Sequence, residues 1–71
     1  MKTFYDYMMR FRNLHHFRDE QADFANLIHE DLTFPKQATD FQTISDYLEL
    51  NPLYSHYIDL FDKLWLDYEK H

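Results

Sequence analysis

The sequence predicts an all-α fold, a compact four-helix bundle with a long C-terminal helix. Three observations predict it. The 71 residues contain no glycine, the residue that supplies the positive-φ positions of tight hairpins. Apolar side chains recur at helical spacing in four segments, with Pro35 between the second and third and Pro52 at the start of the fourth. Aromatic residues reach 20% of the chain, enough to build a core in one small domain spanning residues 1–71.

The first helix is expected to begin at Thr3, whose hydroxyl caps while Asp6 completes a T-x-x-D box, and to stop near Asn13. Phe4, Tyr7, Met8 and Phe11 stand at i, i+3, i+4 and i+7, which makes them its core face. A short connection holds His15 and His16. Asp19 and Glu20 then place negative charge at the positive end of a second helix, with Phe24, Leu27, Ile28 and Leu32 facing inward. Residues 33–38 form the main loop, with room for one short helical turn, because Pro35 lacks an amide hydrogen and biases Phe34 away from helix.

Thr39 or Asp40 is expected to cap a third helix, supported by Gln42 or Thr43, that points Phe41, Ile44 and Leu48 inward and ends near Leu50. Asn51-Pro52 opens the fourth, running to about Glu69. Leu53, Tyr54, Tyr57, Ile58, Leu60, Phe61, Leu64, Trp65 and Tyr68 occupy an arc of about 160° on it. Trp65 lies mid-arc and is expected against the first helix and the Phe41 face. Leu66 falls on the polar side.

The chemistry in the sequence is sparse. Without glycine there is no phosphate-binding loop, dinucleotide fingerprint or nucleophile elbow. Ser45 and Ser55 lie inside helices. The neighbours Asp19 and Glu20, like Glu30 and Asp31, point about 100° apart, so capping and surface charge account for them. His15, His16, His29, His56 and the terminal His71 have no H-x-x-x-H spacing that would place two ligands on one helical face. The chain is therefore expected to be no enzyme and to use no cofactor or metal.

Charge is uneven. Residues 1–36 carry five basic and six acidic side chains, whereas residues 37–71 carry two and seven. The absence of cysteine suits a reducing, cytoplasmic setting, and Asp6, Arg10 and Arg12 interrupt the N-terminus too often for a signal peptide or membrane span. Two surface features are candidates for partner binding. Tyr5, Met9 and Arg12 form a stripe beside the core face of the first helix, to be either sandwiched between helices or presented. Arg10, Arg12 and Arg18 with Lys36 could meet an acidic or phosphate-bearing partner.

The run FPKQATDFQTISDYLELN, with the opening KTFYDYMMRFR and the late FDKLWLDYE, resembles the YozE family of short bacterial proteins, chiefly from Firmicutes. The most specific parts are Phe34-Pro35-Lys36, Ile44-Ser45, Tyr47-Leu48-Glu49 and Trp65. The resemblance implies a bundle like the sterile alpha motif and brings no activity or catalytic residue with it. Domains of that fold mostly bind proteins or nucleic acids, a weak guide to function. The expected function is a protein-protein interaction module with a partner the sequence does not name. The guessed contact residues are Tyr5, Met9, Arg10, Arg12 and Arg18. The alternative is nucleic-acid binding through Arg10, Arg12, Arg18 and Lys36, which the net charge of −6 disfavours.

Overall fold

The chain closes on itself through aromatic side chains from its two ends. The computed structural model describes residues 2–13 and 19–70. Among them are four α-helices and no strand: α1 (Phe4–Met9), α2 (Glu20–Glu30), α3 (Phe41–Leu50) and α4 (Ile58–Glu69). Tighter 3-10 turns extend α1 over Arg10–Asn13 and precede α4 over Pro52–Tyr57. The Cα radius of gyration, 11.3 Å, matches the value of about 11 Å expected for a folded chain of this length.

The caps follow the sequence. Thr3 accepts from the Asp6 amide at 3.1 Å, Asp19 from the Ala22 amide at 2.7 Å, and Asn51 from the Leu53 amide at 3.1 Å. Of the two candidates before α3, Asp40 is the cap, taking both the Thr43 amide and the Thr43 hydroxyl. The main loop holds two turn bonds, from the Phe34 amide to the Asp31 carbonyl and from the Ala38 amide to the Pro35 carbonyl, and no helix.

Phe4 is the hub of the core. Its ring centroid lies 5.4 Å from Phe61, 5.3 Å from Trp65 and 5.5 Å from Tyr68, joining α1 to α4. Edge-on and tilted pairs at such distances add to the burial of apolar area. Two hydroxyls reinforce the closure: Tyr7 donates to the Asp67 carboxylate and Tyr68 to the Lys2 carbonyl, both at 2.5 Å. Ile44 and Leu48 of α3 and Phe24, Ala25 and Ile28 of α2 complete the buried cluster.

Four expectations need correction, two for a backbone reason and two for side-chain contacts. The α2 helix stops at Glu30, where Asp31 turns to extended geometry, so Leu32 leaves the helical register and is 89% exposed. The fourth helix does not begin as α-helix. Pro52–Tyr57 winds as 3-10, which advances about 120° per residue, so Tyr54 and Tyr57 eclipse on the inner side while Leu53 turns out, 63% exposed. Phe41, at the first position of α3, is 40% exposed, because it lies over Phe61 and Trp65 from outside. Asp31 is no mere surface charge. Its carboxylate accepts from Tyr47 at 2.5 Å, Tyr54 at 2.7 Å, the Thr33 amide at 3.0 Å and the Thr33 hydroxyl at 2.9 Å.

Burial alone raises the Asp31 carboxyl, but the hydrogen bonds from Tyr47, Tyr54 and Thr33 together outweigh it and hold the group at about 2. Burial first, and then the bonded carboxylate, push the Tyr54 hydroxyl far above its ordinary 10.0. The knot therefore works only with the acid ionised and the phenol neutral.

Two predictions follow from this packing. Trp65 is buried and Leu66 is 61% exposed, so Trp65→Ala should cost about 3 to 5 kcal/mol, most of a small domain's stability, and Leu66→Ala under about 1 kcal/mol. Thermal melts followed by circular dichroism compare them, and a more damaging Leu66→Ala would contradict the helical phase. Asp31→Ala should cost about 2 to 3 kcal/mol, since it strips a charged acceptor from the buried Tyr54. In the parent chain a depressed carboxyl contributes stability in full above its ordinary value, 3.8, that is lost as pH falls towards 2. The raised phenol contributes stability in full below about 10, lost as pH rises beyond that. Chemical denaturation of parent and Asp31→Ala across pH should show the parent's advantage at neutrality shrinking at the acid end. A pH-independent difference would contradict the ionised knot.

Candidate functional interface

The helix that carries the first candidate stripe is covered. Tyr5 and Met9 are half-buried against the core, and the Tyr5 ring lies 6.3 Å from Phe34 of the main loop. The Tyr5 hydroxyl stands 3.4 Å from His29 Nδ1 on α2, and the Lys36 ammonium lies 5.3 Å over its ring. Of the two arrangements open to the stripe, the structure has the sandwich. Only Arg12 at its edge is exposed, donating to the Asn26 side chain at 3.4 Å.

The basic candidates are dispersed in what they touch. Arg10 is exposed with its guanidinium 5.0 Å over the Tyr7 ring, and Lys36 is half-buried over Tyr5. Arg18 lies outside the described residues, as do His15, His16 and His71. Ser45 donates weakly to Glu49 at 3.4 Å, and Ser55 is exposed on the second 3-10 turn. Among the described residues no three of His, Asp and Glu cluster as metal ligands, and no helix is long and apolar enough to cross a membrane.

A surface that periodicity did not single out is more prominent. Where α3 ends, Leu50 is 85% exposed, and Pro52 and Leu53 beyond it are exposed as well. Leu50 and Pro52 border an open groove of about 240 Å³, lined also by Leu48, Glu49, Asn51, Ser55 and Ile58. Buried Leu48 and half-buried Ile58 supply apolar lining. A second shallow depression, lined by Asp23, Asn26, Leu27, Glu30 and Tyr57, is polar at its rim.

The exposure of this corner has a local cause. The Asn51 amide bonds the Leu48 carbonyl and the Tyr54 amide bonds the Asn51 carbonyl, so the chain bends without glycine and aims Tyr54 inward. With Leu48 and Tyr54 both in the core, Leu50 and Leu53 have only solvent to face. The sequence held a trace of this, since Leu50 follows Leu48 by two positions and cannot share its helical face.

Comparison with known proteins agrees with this architecture. A family described as the YozE SAM-like fold matches residues 3–70. The chain is 45% identical over 69 residues to the UPF0346 protein YozE of Bacillus subtilis, covering 97% of this chain and 92% of that one. It is 47% identical over 64 residues to a UPF0346 protein of Geobacillus kaustophilus, covering 90% and 88%. The solution NMR structure of the Bacillus subtilis protein superposes with a TM-score of 0.85 at 44% identity, covering all of this chain and 85% of that one. The shared backbone fold and a match over nearly the whole length agree, and the chain belongs to the YozE family of SAM-like domains.

Proposed function

We propose that the chain is a non-enzymatic protein-protein interaction module. The observation that carries this reading is the set of leucines left outside a well-filled core: Leu32, Leu50, Leu53 and Leu66. Single exposed leucines are ordinary, but Leu50 lines an apolar-floored groove with Pro52, and Leu53 is exposed next to Pro52 in the chain. Arg10 and Lys36 lie over aromatic rings of their own chain, and Arg12 reaches Asn26, which supports a protein partner over a nucleic-acid one.

Photo-crosslinking in cells tests this. With the full chain expressed in Bacillus subtilis, a photoreactive residue at position 32, 50, 53 or 66 should give a discrete protein adduct at one position or more. The same probe at exposed position 6 should give none. Failure at all four leucine positions would overturn the reading. Titration with single- or double-stranded nucleic acid at about 50 mM salt should produce no shift, and salt-sensitive binding there would favour the basic-surface alternative.

A further inference from the structure

We propose that the corner joining α3 to the second 3-10 turn binds a basic, amphipathic segment of a partner protein, which inserts one large apolar side chain between Leu50 and Ile58. This rests on the interaction-module reading and adds to it a place and a partner chemistry. The apolar part of the site is built from Leu48, Leu50, Pro52 and Ile58, which line the groove, and Leu53 is exposed next to Pro52 in the chain. That geometry suits a single anchoring side chain buried in a pocket, the common source of affinity in small interfaces.

The charge around the corner selects the rest of the partner. From Asp46 to Asp62 the chain carries Asp46, Glu49, Asp59 and Asp62, with Lys63 the next residue. All four carboxylates are exposed. Glu49 lines the groove, Asp46 stands one helical turn before Leu50, and Asp59 and Asp62 follow Ile58 within one turn on α4. An apolar anchor flanked by Lys or Arg meets this field favourably, whereas an acidic segment is repelled. A nucleic acid is repelled for the same reason. The Gln42 side chain already donates to Asp46, which holds that carboxylate in place without neutralising it.

Two synthetic peptides with the same apolar pattern, one flanked by Lys and Arg and one by Glu, provide the probes. Titrated into the isotope-labelled full chain, the basic peptide should shift the amides of Leu50, Leu53, Ser55 and Ile58, and the acidic peptide should not. Its Kd should rise about tenfold or more in the Leu50→Ala/Leu53→Ala double variant, and by a similar factor between about 50 mM and 500 mM salt. Both leucines are exposed, so the double variant should melt like the parent. The proposal is overturned by no binding, by shifts elsewhere, by equal binding of the acidic peptide, or by a double variant that binds like the parent. Concentration-dependent self-association mapping to these amides would equally overturn it, by making a second copy the occupant. If cellular crosslinks persist in the double variant, the corner assignment fails while the module reading stands.

Discussion

The Asp31 carboxylate is the constraint on which the middle of the domain depends. It sits where α2 has just ended and gathers the hydroxyls of Tyr47 from α3, Tyr54 from the second 3-10 turn and Thr33 from the loop. A glycine-free chain has few ways to turn sharply, so the loop's course is fixed by what its side chains hold. Once Tyr47 and Tyr54 converge on one acid, α3 can rotate very little. Ile44 and Leu48 face the core, and Leu50 is left outside. A charged acceptor serves this better than a neutral one, because hydrogen bonds to an ionised group are roughly twice as strong.

The termini are held by different physics. Phe4, Phe61, Trp65 and Tyr68 form a layer of rings whose contribution is mainly area removed from water, with edge-on geometry adding direction. Tyr68 and Tyr7 then spend their hydroxyls on the Lys2 carbonyl and the Asp67 carboxylate at the rim of that layer. The domain is thus clamped twice, by apolar contact at its ends and by a polar knot at its centre. Tyrosine serves both clamps because it has an apolar body and a polar tip.

Much of this was legible in the residues. The caps at Thr3, Asp19 and Asn51, the end of α3 at Leu50, the buried Trp65 and the exposed Leu66 all follow from local chemistry and a 3.6-residue period. Misread were places where the backbone left that period. Leu32 lies past an extended residue, and Leu53 lies in a turn of period three, so a fixed 100° step put both on the wrong side. Asp31 was misread because its partners are 16 and 23 residues away, a separation that periodicity cannot sense. The one local trace is Thr33 two positions on, which forms an Asx-type turn with it.

The same departures decide what the surface offers. The 3-10 winding that buries Tyr54 exposes Leu53, and the knot that orients α3 leaves Leu50 beside it, so the groove at that corner is a by-product of the central clamp. Direct titration of the Asp31 side-chain carboxyl by carbon NMR tests this account most simply. The account predicts a midpoint at about 2, with the Tyr47 and Tyr54 ring signals shifting in the same transition. A midpoint at the ordinary value near 3.8, with neither tyrosine responding, would contradict it.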